Sequence, residues 1–437
     1  MNPLYWIAFL GYYVALFSVL LGATWTVVLY VSGNRYLREW DQRPEGDESE
    51  YLWVFLVPAL NEAVTIADSV ARLRAVEATF RIIIVINDGS DDDTAAVLER
   101  IDGPDLVVLT RVPPNARKGK AKALNNAYHY LRTEVLTTER YRHWTDNKVI
   151  LGIVDADGRL DAHAPSQVCR HFDIPRVGGV QANVHIYNRD SYLTRMQELE
   201  FKVFGGLYQV GRSRWGVGFM GGNGQFNRLA ALASVASEEG PWSDYLTEDQ
   251  ELGLRLLSRG WYGEQANSTF VDQQGLNNLR RLYRQRARWM QGNLQVVAKA
   301  RRLHAHYLSG IRRIDALISL LLPIFNLIVG TAVVAALALW IFLGVPFLPL
   351  DRVWLTVFFV LLAIGPVSIG VMVIARGRGW RGGLSAILAM GPYLAYTWLM
   401  WPVAFLGLYN TLRRKRGWVK TAREAIVTPA TADGSPT

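Results

Sequence analysis

A single cysteine, Cys169, leaves no partner for an intrachain disulfide and excludes a cysteine-based metal site. Histidine is scarce too, with seven residues scattered without ligand spacing. Any metal must therefore rest on carboxylates, which selects hard cations such as Mg2+ or Mn2+. Charge is thin: 19% of the 437 residues are charged against 50% hydrophobic. An ordinary soluble enzyme is more polar, and the length has room for one large domain plus membrane segments. The net charge is +9, and the basic residues gather near the apolar runs. That placement suits an anionic membrane face or a phosphorylated small molecule, and it disfavours nucleic acid as a partner.

Uncharged runs mark both ends of the chain. Leu4 to Val31 is long enough to span a bilayer and has neither a basic n-region nor a small-residue cleavage site. It reads as an anchor, residues 1–32, with Arg35, Arg38 and Arg43 holding its end in the cytoplasm. Residues 33–50 read as a charged linker. Asn293 to Arg313, rich in arginine, reads as an interfacial helix on an anionic leaflet. About three spans follow within 314–411, at Ile314 to Val345, Val353 to Ala375 and Leu384 to Leu408. The basic tail, 412–437, opens Leu412-Arg413-Arg414-Lys415-Arg416. Three spans after a cytoplasmic domain would place that tail outside. Either the last stretch, broken by Pro392 and Pro402, is re-entrant or double, or the charge rule fails here.

Between these ends, residues 51–270 change to an α/β pattern. Tyr51 to Val57, Arg81 to Ile86 and Val149 to Val154 read as buried parallel strands. The first ends near Asn61-Glu62, with Asn61 as a helix cap; the second ends in Asn87-Asp88-Gly89-Ser90; the third ends in Asp155-Ala156-Asp157-Gly158. Ligands of open α/β sheets bind at such carboxyl ends, so Glu62 and Asp88 either meet a base or ribose, or serve as cap and turn residues. Asp91, Asp92 and Asp93 read as first-turn helix residues. Asp155 and Asp157 can reach one site, one touching a nucleotide and the other a divalent cation. The run Arg117 to Ala127 carries Lys118, Lys120 and Lys122 around a glycine and a helix start. It either meets phosphates or forms a solvated basic face.

Farther along, Gly221-Gly222-Asn223-Gly224 lets backbone approach a ligand closely, and Gly222, Asn223 and Gly224 are candidates for lining an acceptor site. Thr247-Glu248-Asp249 opens a helix with Thr247 as its cap, Leu252, Leu256 and Leu257 buried and Gly260 beyond its end. The helix dipole should keep Asp249 ionised, as a general base requires, with Glu248 beside it. Residues 271–313 hold Gln285-Arg286-Ala287-Arg288-Trp289. Gln285, Arg288 and Trp289 share one helix face, offering an amide, a guanidinium fork for a diphosphate and an indole plane for a sugar ring.

In this order, N-D-G-S, D-A-D, T-E-D and Q-R-A-R-W resemble the processive, membrane-embedded family 2 glycosyltransferases over roughly Val54 to Val297. Those include cellulose, hyaluronan and chitin-oligosaccharide synthases. The strongest likeness is to bacterial poly-β-1,6-N-acetylglucosamine synthases, through D-G-S, G-K-A-x-A-L, T-E-D and Q-R-x-R-W-x-Q-G. Asn87 departs from a frequent aspartate, and Leu60 stands where an aromatic or histidine often precedes Asn-Glu.

The resemblance implies a Rossmann-like GT-A domain on the cytoplasmic side of a multi-pass bacterial inner-membrane protein with interfacial helices. The implied reaction is an inverting transfer from a nucleotide sugar, usually a UDP-sugar, to a growing glycan. Asp88, Glu62, Lys118 and Lys120 would bind the nucleotide sugar, Asp155 the nucleotide and diphosphate, and Asp157 a Mg2+ or Mn2+ ion. Asp249, flanked by Glu248, would be the base; Gln285, Arg288 and Trp289 would hold diphosphate and acceptor. A glycolipid synthase acting on a lipid acceptor shares this core, and a non-catalytic scaffold would not need the full set. A small accessory membrane subunit is left open.

Overall fold

A computed structural model describes residues 3–101, 103–300, 306–344, 353–376 and 378–413. Its strands are β1 (Leu52–Ala59), β2 (Arg81–Asn87), β3 (Leu106–Thr110), β4 (Val149–Ile153), β5 (Arg159–Leu160), β6 (Val177–Ile186), β7 (Gln225–Arg228) and β8 (Tyr262–Gln273). They form one sheet in the order β3-β2-β1-β4-β7-β6-β8-β5. The first four positions of that order are parallel, and β7 runs antiparallel between β4 and β6. β1 is buried along nearly its whole length because helices cover both faces. One layer contains Ile66–Arg74 and Ala164–Phe172; the other contains Lys120–Tyr130 and Glu248–Ser258.

The three expected strands are present, with shifted ends. β1 continues through Pro58 to Ala59, since proline's fixed φ is compatible with extended backbone and removes only one donor. Asn61 is not a cap. It sits at φ 56°, and its amide exchanges hydrogen bonds with Asp91, while the next helix starts at Ile66. Asp91, Asp92 and Asp93 precede the helix Thr94–Arg100 instead of lying in its first turn. Asp92 there accepts from the Thr94 backbone at 3.0 Å, a local bond that favours the turn over helix.

The 33–50 segment is a linker only in its second half. The N-terminal helix runs from Pro3 to Asp41 and docks on the α/β domain. Gly33 meets Gly211 at a close backbone approach, and the Ser32 hydroxyl donates to the Gly211 carbonyl at 2.8 Å. Tyr36 and Trp40 are buried by this contact; Trp40 stacks on His171 at 3.9 Å, and Tyr36 donates to Glu264 at 2.9 Å. Long-range packing therefore extends a helix whose local sequence is polar.

The interfacial helix expected over Asn293–Arg313 is not continuous. The Leu279–Val297 helix ends there, and Arg312 and Arg313 belong to the first turn of Gly310–Leu343. Gly310 has φ 54°, a conformation that restarts the chain in a new direction. Arg301 and Arg302 lie outside the described residues, as does the tail from Arg414 onward.

Among the described residues, two helices are long and apolar enough to cross a membrane, Leu10–Asp41 and Gly310–Leu343. Val353–Met372 is also helical. The expected last span is divided into Gly379–Met400 and Pro402–Leu412. Pro402 cannot donate to the preceding turn, which accounts for the break. The Leu279–Val297 helix packs on Pro402–Leu412, where Gly407 lies close to Met290 and the Ala287 carbonyl. The Tyr283 hydroxyl also donates to the Leu399 carbonyl.

Candidate active site

The carboxyl ends of the parallel strands bring the motif residues to one edge of the sheet. Asp155 follows β4, and Lys120 opens the helix that follows Gly119, whose φ is 101°. Lys120 Nζ lies 2.6 Å from Asp155 Oδ1. Burial alone would lower the Lys120 pKa, but the charges of Asp155, Glu248 and Asp249 outweigh it and raise it, so the ammonium stays charged.

The glycine turn closes the same space. Gly222 has φ 82°, and a Cβ built on it would lie 3.1 Å from Asp249 Oδ2 and 3.6 Å from Lys120 Nζ. Any side chain there would be strained by the backbone and would crowd both groups. Gly224, at φ 72°, would strike Val271. Asn223 lies between these two glycines and fastens the turn. Its carbonyl oxygen accepts from the Asp155 backbone at 3.0 Å, and its amide donates to Gln273 at 3.1 Å.

Glu248 and Asp249 lie adjacent at the start of Glu248–Ser258. Burial, then the neighbouring Asp249, pushes the Glu248 carboxyl up to about 7. Burial likewise raises Asp249 and outweighs the backbone N–H of Gln250, which bonds to it at 2.8 Å. Desolvation thus opposes the helix dipole, which favours the ionised form of Asp249. Thr247 occupies the cap position without a side-chain cap bond. It packs against Gly292, where a Cβ would come within 2.5 Å of its methyl. This contact holds T-E-D against the Q-R-A-R-W helix.

Glu62 and Asp88 lie at the ends of β1 and β2, both buried. Glu62 accepts from the Thr65 hydroxyl at 3.0 Å. Asp88 pairs with Arg111 and accepts from the Arg117 backbone at 3.1 Å. Burial raises the Asp88 pKa despite those partners. Lys118 is exposed beside this loop. Asp157 is buried and accepts from the Gln274 backbone at 3.3 Å.

Gln285 is buried on the Leu279–Val297 helix, whereas Arg288 and Trp289 are partly open. Trp289 meets Phe201 edge-on at 6.4 Å, and the Arg286 guanidinium lies 4.2 Å from its ring centroid. Arg286 in turn pairs with Glu200 at 2.6 Å, and Glu200 accepts from Tyr396 at 2.9 Å.

Among the described residues, no group of three or more His, Cys, Asp or Glu forms a ready-made metal cage. A cation bridging a diphosphate does not need one. Mg2+ is usually held by one or two carboxylates, with phosphates and water completing the shell. The Asp157 carboxylate, two residues beyond Asp155, therefore fits as a donor for such an ion.

Residues 150–408 match the family described as glycosyl transferase family group 2, and residues 54–233 match glycosyl transferase family 2. The chain belongs to this family. This glycosyltransferase is 28% identical over 259 residues to the poly-beta-1,6-N-acetyl-D-glucosamine synthase of Staphylococcus aureus, covering 58% of this chain and 57% of that protein. It is also 28% identical to the probable glycosyltransferase YdaM of Bacillus subtilis, covering 56% of each. The matched region thus spans little more than half of these relatives. Among solved structures, the mannosyltransferase PcManGT from Pyrobaculum calidifontis, in complex with GDP-Man and Mn2+, superposes with a TM-score of 0.59. Identity to it is 19%, covering 94% of this chain and 100% of that one. The family 2 glycosyltransferase therefore has the Rossmann-like GT-A fold.

Sequence reasoning passed over Arg111, Arg286 and Glu200. Arg111 follows β3 with no motif around it. Arg286 stands inside Q-R-A-R-W, and its spacing to Trp289 was available as a signal. Glu200 meets it only through tertiary packing.

Proposed function

We propose that this glycosyltransferase is a membrane-embedded, inverting polymerase. It joins the sugar of a nucleotide donor, UDP-GlcNAc or another UDP-hexose, into a β-linked exopolysaccharide and passes the chain across a bacterial inner membrane. The observation that carries the reading is the convergence of Lys120, Asp155, Gly222 and Asp249, with T-E-D held against a helix that packs on the final hydrophobic helices. The name borne by the staphylococcal relatives supports the polymer and its sugar.

In this reading Glu62 and Asp88 recognise the nucleoside, with Lys118 at the mouth. Lys120, Gln285 and Arg288 offset the charge of the diphosphate, to which Asp155 is adjacent. Asp157 would hold a Mg2+ or Mn2+ ion, which when bound would further neutralise the charge of the leaving diphosphate. Asp249 takes the proton of the acceptor hydroxyl as that oxygen bonds to the sugar's anomeric carbon. The bond from that carbon to the diphosphate oxygen breaks, and the nucleoside diphosphate leaves with the electron pair. Glu248, held near neutrality by burial, limits competing charge beside the base. Trp289 supports the acceptor sugar on its ring face, and the Gly222 and Gly224 turn shapes the space before it.

Two hydrophobic helices of sufficient length, Leu10–Asp41 and Gly310–Leu343, support the membrane assignment. A hydrophilic polymer would otherwise face about 30 Å of hydrocarbon unaided. The test is a radiolabelled transfer assay on detergent-purified protein with UDP-GlcNAc, UDP-Glc or GDP-Man, with Mg2+, Mn2+ or chelator. A metal-dependent, water-soluble product from a UDP-sugar is expected. A product formed only from GDP-Man, or one extracted into organic solvent, would overturn the reading.

A further inference from the structure

One chain of contacts runs from the hydrophobic helices to the glycine turn without entering the chemistry described so far. Asp315 is the single acidic residue of the Gly310–Leu343 helix and is 0% exposed. Trp25, on the N-terminal helix, donates its indole N–H to Asp315 Oδ1 at 2.9 Å. Arg212 Nε lies 3.2 Å from Asp315 Oδ2, and Arg212 is itself buried. Three elements therefore meet at one charge pair: the N-terminal helix, the Val210–Ser213 turn of helix and the first long hydrophobic helix after the catalytic domain.

Arg212 passes this arrangement inward. Its Nη1 donates to Gln209 Oε1 at 3.3 Å. The Gln209 amide closes on one residue: Nε2 donates to the Phe219 carbonyl at 2.5 Å, and Oε1 accepts from the Phe219 N–H at 3.3 Å. The Phe219 ring lies 5.3 Å from the Arg212 guanidinium. Gln209 ends a π-helical stretch, Phe204–Gln209, a rare geometry often found where a helix re-aims side chains for function. Three residues after Phe219 comes Gly222, beside Asp249.

A carboxylate in an apolar helix is costly unless its partners are in place. The contacts of Asp315 to Trp25 and Arg212 form only when the N-terminal helix and Gly310–Leu343 are both docked, and that same docking orients Arg212 and Gln209. We infer that Asp315 is a positioning residue for sugar transfer. Through Arg212 and Gln209 it fixes the Phe219 backbone, and so the Gly221–Gly222 turn against Asp249. The inference rests on the proposed role of Asp249 as base and of the turn as acceptor lining. It makes the membrane helices, along which the product would leave, part of what holds the transfer site in register.

The test uses the full chain in detergent with both charges removed, Asp315→Asn with Arg212→Gln, because a single change would strand a buried charge. Amide hydrogen exchange provides a readout that needs no activity. Exchange at Phe219–Gly222 should quicken by at least about tenfold while β1 and β4 keep their protection. The partition of donor between acceptor transfer and hydrolysis should fall about tenfold, with donor KM unchanged, because misplacement affects transfer before binding. Asp315→Glu should restore part of both. Unchanged exchange at Phe219–Gly222, or loosening spread equally over β1 and β4, would overturn the inference. If the parent protein transfers no sugar while the turn responds as expected, the proposed function fails and the positioning link stands.

Discussion

Lys120 and Asp155 meet at 2.6 Å across the sheet's carboxyl edge, although 35 residues separate them in sequence. The pair joins the helix following the β2–β3 half of the sheet to the strand end in the middle of it. Lys120 also senses Glu248 and Asp249, so one ammonium organises three carboxylates around the space where a diphosphate would sit. Lys120→Ala is expected to lower kcat/KM for the donor by about 10²–10³, the range for losing one charge-stabilising donor. Steady-state kinetics with the radiolabelled donor reads this directly. A wild-type value would remove Lys120 from the site.

Asp249→Asn should cut kcat by roughly 10²–10⁴ while nucleotide affinity, read by calorimetry with UDP, stays near wild type. In the parent protein the acid limb of kcat should lie above the ordinary aspartate range, because burial raises the Asp249 pKa. A raised pKa keeps Asp249 protonated to higher pH, so activity is lost as pH falls through that limb. A limb at the ordinary aspartate value of about 3.9 would contradict the arrangement.

The docking of the N-terminal helix should weaken in acid. His171 stacks on Trp40, and its ring Nδ1 lies 2.7 Å from Glu264 Oε2. Burial lowers its pKa below 6.5, so the unfolded chain takes up a proton before the folded one as pH falls. The stabilisation is complete above about pH 6.5 and is lost as pH drops from there through the folded value. Thermal melts across this window should show a falling Tm that His171→Gln flattens. An equal slope in the variant would exclude His171 as the cause.

Trp289 is held from below by Arg286, which Glu200 anchors. Arg286→Met keeps bulk but loses a cation–π contact of about 0.5–2 kcal/mol. The expected result is a raised KM for acceptor oligosaccharide with donor KM unchanged. A change in donor KM alone would place Trp289 elsewhere in the cycle.

The sequence made some of this legible and hid the rest for physical reasons. β2 is an unbroken apolar run closed by Asn-Asp-Gly-Ser, so strand and ligand edge are marked together. β6 and β8 both contain glycine and asparagine, β8 also carries charged residues, and their strand character comes from pairing with each other. Residues 33–41 read as a linker because the burial of Tyr36 and Trp40 depends on a distant surface. The glycines around Asn223 are visible in sequence, whereas the bond of its amide to the Asp155 backbone is made only by the fold. The helix start before Asp249 is visible in sequence, whereas the desolvation that raises its pKa is not.

The central claim is processive polymerisation, and the most direct measurement is the size distribution of product early in the reaction. Labelled UDP-sugar would be supplied in large excess over enzyme in proteoliposomes, with aliquots resolved by size-exclusion chromatography. The account predicts long, water-soluble glycan while most enzyme has yet to begin a chain, and loss of that product in Asp249→Asn. A short product that partitions with lipid, growing uniformly with time, would contradict it.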